Sequence, residues 1–162
     1  MKVFPKKAYS VRLKKNIKEL LPELKKQTLS KEQYVFDWNN QVFIGEIKLS
    51  EFEVKVSKQI YGEFCVFKGR FNNKKGIIEI QTSRLIKIGF ILMSVFAFSG
   101  IITALLQNEY KALLLIALTP IILKYSFLDN GFRIVTEIGL KKLTNVLEII
   151  EITKKDADAN GK

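Results

Sequence analysis

The sequence predicts an α+β protein: an antiparallel meander of five or six strands with an N-terminal and a C-terminal helix, interrupted by a transmembrane helical hairpin. Three observations carry this expectation. Residues 8 to 83 alternate apolar and polar side chains over short runs, residues 88 to 128 hold two apolar runs split by five polar residues, and residues 135 to 150 repeat apolar side chains every three or four positions.

Taken in order, Tyr9, Val11 and Leu13 alternate with Ser10, Arg12 and Lys14, the period of a half-buried strand. Ile17, Leu20, Leu21 and Leu24 follow at helical spacing behind Asn16, a good N-cap. A short helix over Ile17 to Gln27 is expected, either beginning late with Pro22 in its first turn or kinked there. Tyr34 to Trp38, an Asn39-Asn40 turn and Val42 to Leu49 form a hairpin pattern. Phe52, Val54 and Val56 alternate with Glu53, Lys55 and Ser57, and Phe64 to Phe71 and Ile77 to Thr82 flank the turn sequence Asn72-Asn73-Lys74-Lys75-Gly76.

Ile88 to Leu106 is 19 residues without a charge. As a helix it covers about 28 Å, against about 30 Å of bilayer hydrocarbon. Ala112 to Leu128, broken only by Lys124, is a second run of 17 residues and about 25 Å. The linker Gln107 to Lys111 is too short for anything but adjacent antiparallel helices. Ala97, Gly100 and Ala104 share one face of the first span, and depth counted from the loop sets Gly100 opposite Ala117, so these small residues are expected at the helix contact. Pro120 frees a backbone carbonyl in the second span, which Thr119 is placed to satisfy. Lys124 lies about 6 Å from the inner boundary, within snorkelling reach.

Lys74, Lys75, Arg84 and Lys87 precede the first span, and Lys124, Arg133, Lys141 and Lys142 end or follow the second, whereas the loop has Lys111 alone beside Glu109. This asymmetry predicts that both termini are cytoplasmic, with Lys74, Lys75, Arg84, Lys87 and Lys124 touching the membrane surface. Met1 to Lys7 has no apolar core, so no cleavable signal is expected and the first span serves as the insertion signal. Beyond the hairpin, Asp129-Asn130-Gly131 reads as a turn. Val135, Ile138, Leu143, Val146, Leu147 and Ile150 then form the apolar stripe of an amphipathic helix. The expected division is 1–84 β-rich, 85–128 hairpin (88–106 and 112–128), 129–152 closing helix and 153–162 polar tail.

Composition limits the chemistry. With no His and the single Cys65, a Ser/His/Asp triad, a Cys/His nucleophile, a zinc site and a disulfide framework are all excluded. No phosphate loop or nucleophile elbow is present. Glu46, Glu51, Glu53, Glu63 and Glu79 alternate with cations on positions expected to face solvent, so no catalytic, cofactor-binding or metal-binding residue is assigned. The formal net charge is +11, of which +10 falls in residues 1–87 (19 Lys or Arg against 9 acids). Anionic lipid accounts for that charge. Only four of the 27 cations are Arg, a poor match to base readout, and nucleic acid is not an expected partner.

Phe43-Ile44-Gly45-Glu46-Ile47, Phe52-x-Val54-x-Val56, Ile60-Tyr61-x-x-Phe64 and Lys68-Gly69-x-Phe71, followed by the hairpin and a Lys-rich helix, resemble a group of small bacterial membrane proteins of uncharacterised function. The resemblance spans residues 8 to 150 and implies this architecture, placed in a bacterial inner membrane, without an activity. Gly45 and Gly69 read as close backbone approaches within strands. The expected function is non-enzymatic. In one form the cytoplasmic domain binds a partner or an apolar ligand at the membrane surface, with the lipid bilayer and another membrane protein as partners. In the alternative, an immunity or regulatory factor acts through the hairpin.

Overall fold

The structure is a computed structural model, and it describes residues 3–29, 42–57, 62–107 and 110–155. It is a mixed α+β fold with one seven-stranded sheet. The strands are β1 (Lys6–Leu13), β2 (Thr28–Leu29), β3 (Phe43–Ile47), β4 (Glu51–Val56), β5 (Cys65–Asn72), β6 (Lys75–Thr82) and β7 (Ile149–Lys155). The helices are α1 (Ile17–Lys26), α2 (Arg84–Leu106), α3 (Tyr110–Ile122) and α4 (Asn130–Val146), with a π-helical stretch over Leu123–Asp129 joining the last two.

The sheet corrects the expected meander. Its order is β2-β3-β4-β5-β6-β1-β7, so only β3 to β6 follow one another as a meander. β2 runs parallel to β3, and β1 lies between β6 and β7, antiparallel to both. The seventh strand occupies the end of the expected closing helix and the start of the expected polar tail. Ile150 is therefore an exposed strand residue, 67% accessible, rather than part of a helical stripe. The proposed strand at Tyr34 to Trp38, its Asn39-Asn40 turn and the tail from Asp156 onward lie outside the described residues.

Asn16 caps α1 as expected, its side-chain oxygen accepting from the Lys18 N–H at 3.2 Å, and the helix continues through Pro22. The β5–β6 turn takes Asn73 into the left-handed region at φ 56°, which Asn tolerates. Its Lys74 and Asn73 carbonyls accept the N–H groups of Leu13 and Ile17, tying the β1–α1 corner to that turn.

One face of the sheet is dry. Val11, Leu13, Phe52, Val54, Phe67, Phe71, Ile78 and Ile80 project from it and are covered by Ile17, Leu20 and Leu24 of α1 and by Phe132, Val135 and Leu143 of α4, all buried in one core. The expected closing helix thus lies on the sheet, but Ile138 of its predicted stripe is 38% exposed, while Phe132 and Gly139 face inward. The opposite face is polar and laced with ion pairs, the arrangement of an antiparallel sheet solvated on one side.

The expected turn at Asp129-Asn130-Gly131 is absent. The chain passes from α3 through the π-helical stretch into α4 without leaving helical geometry. Gly131 instead makes room for the ring of Phe64, which also packs against Phe127 at 4.9 Å between centroids. The Pro120 carbonyl partner, Ile116, is not recovered by Thr119, whose hydroxyl donates to Leu115 at 3.0 Å.

Candidate functional site

Two regions gather most of the residues singled out from the sequence: the hairpin, and the corner where α2 leaves the sheet. α2 holds 23 residues, about 34 Å, and α3 with its π-helical continuation holds 20, roughly 29 Å, so both are long and apolar enough to cross a membrane. They are also bare. Leu92, Val95, Phe96, Phe98, Ile102, Leu114, Leu115 and Ile121 are each at least half exposed, and only Ala97 and Ala104 of α2 are buried. A helix in the core of a water-soluble domain would show the reverse.

Ala97 and Ala104 are buried, and Gly100 faces the side chain of Ile116, which a Cβ would meet at 3.4 Å. Ala117 is exposed on the far side, so the residue opposite Gly100 is its neighbour. An apolar groove of about 600 Å³ runs beside this contact, lined by Leu92, Met93, Phe96, Ile116, Thr119 and Leu123 among others. Lys124, half-buried, sits 5.1 Å over the ring of Tyr125.

The five expected surface cations do not form one group. Lys74 and Lys75 stand at the turn that opens β6, whereas Arg84 and Lys87 follow its other end, a strand length of roughly 26 Å away. At that second end the chain is held firmly. Ser83 is buried and caps α2, its hydroxyl accepting the Ile86 N–H at 3.4 Å, and its own N–H donates to the Phe64 carbonyl at 3.0 Å. Ile86 turns toward the core, which leaves Arg84, Leu85 and Lys87 on the outer side.

There they close one end of an open cleft of about 570 Å³. Its floor is the polar face of the sheet: Ile44, Glu53, Lys55, Val66, Lys68 and Gln81. These positions follow from strand register, since Ile44 is paired with Lys55, Glu53 with Lys68 and Val66 with Gln81. Lys55 bonds Glu63 at 2.7 Å and Lys68 bonds Glu53 at 3.0 Å, so these two ammonium groups are neutralised locally. Arg84 has no acidic partner among the described residues, and Lys87 rests 5.7 Å over the ring of Phe4.

Phe4 belongs to a strap that sequence reasoning missed. Its ring meets Phe90 of α2 edge-on at 5.9 Å, and the next carbonyl, that of Pro5, accepts the Thr82 hydroxyl at 3.1 Å. A phenylalanine among lysines at the chain start is the one signal the sequence offered. Lys55, Lys68 and Glu53 were legible as outward strand positions but not as neighbours of α2.

Three titratable groups shifted by their surroundings lie elsewhere in the fold. Lys6 hydrogen-bonds Glu79 at 2.7 Å and holds its carboxyl below the usual range. Burial, and then the charge of Glu137, push the Tyr9 hydroxyl up. Burial also pushes the Cys65 thiol up to about 12, with Thr136 and Lys7 opposing it weakly. Glu51, Glu53 and Glu79 thus form exposed cross-strand pairs, Glu51 with Arg70 at 3.6 Å, whereas Glu63, bonded to Lys55, precedes β5 and is on no strand. No group of three or more potential metal ligands occurs among the described residues. No protein-family model, curated protein or solved structure gives a significant match to this chain.

Proposed function

We propose that this chain is a two-pass membrane protein whose one-sided sheet domain is held at the cytoplasmic surface and serves in binding, without an enzymatic activity. The observation that carries the proposal is the bareness of α2 and α3: apolar over a bilayer's thickness and largely exposed on every side that does not touch the other helix. The two helices leave the domain at one corner, since Phe64 is bonded to Ser83 before α2 and packed on Phe127 after α3. The domain is therefore tethered twice, with its cation-bearing α2 corner against the headgroups. Its ligand is a partner or an apolar molecule met at that surface.

A second reading assigns the activity to the hairpin, as in a membrane-bound regulatory or immunity factor. The apolar groove beside Gly100 favours it, because small residues flanked by large exposed ones admit another helix.

Topology tests the first reading. In a Cys65→Ala background, Gln107→Cys is expected to react in intact cells with a membrane-impermeant thiol reagent, and Ser10→Cys to react only after lysis. Labelling of Ser10→Cys in intact cells would overturn the orientation. The readings separate when the spans are exchanged for an unrelated hairpin: proteins co-purified in mild detergent remain under the first and disappear under the second.

A further inference from the structure

We infer that the cleft between the outer sheet face and the first turn of α2 is a binding site for the phosphate-bearing headgroup of an anionic phospholipid, with Arg84 and Lys87 as its principal contacts. The inference rests on the membrane reading above and deepens it.

Position comes first. Arg84 is four residues before Ile88, where the uncharged run begins, and so lies about 6 Å outside it. If α2 crosses the bilayer, Arg84 and Lys87 stand in the headgroup layer and the cleft opens into it. A soluble ligand would have to reach the same place from the side.

Charge comes next. The lining holds four cations, Lys55, Lys68, Arg84 and Lys87, against one carboxylate, Glu53. Lys55 and Lys68 have carboxylate partners within the fold. The charge left for a ligand is therefore on α2, where Arg84 lacks an acidic partner among the described residues and Phe4 steadies the Lys87 ammonium from one side. A guanidinium and an ammonium three residues apart share one helix face, and a single phosphate can bridge them.

The lining also matches the rest of a lipid. Gln81 and Lys68 offer donors to the headgroup hydroxyls, while Ile44, Val66 and Leu85 supply apolar surface, Leu85 being 63% exposed at the rim. A purely soluble phosphate has no use for that rim. About 570 Å³ exceeds what a bare phosphate fills and suits a headgroup with its glycerol.

The test uses the full-length chain in bilayers of equal phosphatidylglycerol and phosphatidylcholine, with the retained lipids identified by native mass spectrometry. Phosphatidylglycerol is expected to be enriched roughly tenfold on the intact protein. Arg84→Gln with Lys87→Gln should abolish the enrichment, while Lys74→Gln with Lys75→Gln, the same charge removed at the far end of β6, should leave it. Glu53→Gln, which removes the cleft's one anion, should raise it, an increase that misfolding cannot imitate.

Equal loss from both double variants would reduce the effect to net charge and overturn the site. Retention of free glycerol phosphate in preference to phosphatidylglycerol, with both supplied at equal concentration, would assign the cleft to a soluble ligand and overturn the lipid source. Alkaline carbonate extraction separates the two levels of the claim. Protein stripped from the membrane refutes the membrane reading itself, whereas protein retained without enrichment refutes the headgroup site alone.

Discussion

Gly139 lies where α4 crosses β5, and a Cβ there would collide with the ring of Phe67, itself fully buried. Gly139→Leu is therefore expected to destabilise the full-length protein by about 1–3 kcal/mol, the usual cost of overpacking, as a lowered midpoint of unfolding in detergent. An unchanged midpoint would mean that α4 does not rest on β5. Neither this notch nor the one at Gly131 was legible in the sequence. An Asp-Asn-Gly triplet is a short-range turn signal, whereas a notch for an aromatic ring is defined only by the strand that fold topology brings opposite. Cys65 lies in β5 with its side chain fully buried. With its thiol buried and its pKa raised to about 12 from 9.0, it contributes stability fully below about pH 9 and loses it as pH climbs toward 12. Native protein at neutral pH should resist thiol reagents until unfolded, and Cys65→Ala should soften the alkaline loss of stability. Rapid labelling of the native state would contradict the packing of β5 against α4.

Among the elements, α2 and α3 were the easiest to find, since an uncharged run of bilayer length needs no partner to declare itself. How they meet was harder. Depth counted from the loop chose Ala117, but successive residues on a helix are turned by about 100°, so an error of one residue moves the contact round to the exposed side. Ile116 faces Gly100 instead, where a Cβ alone would reach van der Waals contact and a longer side chain would press on Ile116. Gly100→Leu is accordingly expected to pry the two helices apart, lowering the detergent concentration at which the hairpin's near-ultraviolet circular dichroism signal collapses. Ala117→Leu, on the exposed side, should change nothing. If Gly100→Leu is silent as well, the helices turn other faces to each other. β7 was missed for a different reason. Ile149, Ile150 and Ile152 are β-branched, a strand signal, but they continue the three- and four-residue spacing of α4 and so read as its last turn. The left-handed Glu148, φ 45°, ends that helix and starts the strand, and no glycine marks the spot.

For the whole molecule, the decisive feature is that one hydrophobic core is assembled from two segments separated by the apolar pair α2 and α3. Residues before the hairpin supply most of the sheet and α1, and residues after it supply Phe132, Val135, Leu143, Leu147 and Ile149. They also supply β7, which pairs with β1 from Ala8 to Leu13. A chain ending at Ser83 would thus bare an apolar sheet face and leave β1 as an unpaired edge, both routes to aggregation. Joining Ser83 directly to Asn130 through a few Gly and Ser residues should restore a soluble domain. The gap is short because Phe64 touches both sides of it, accepting the Ser83 N–H at 3.0 Å and making room for itself against Gly131. Expressed without detergent, the linked form should be monomeric and unfold in one cooperative transition, while residues 1–83 alone should precipitate. Should the shorter chain prove monomeric and cooperative on its own, α4 and β7 would be dispensable to the core, and Val135 and Leu143 would have to find their apolar partner in the membrane surface or another protein.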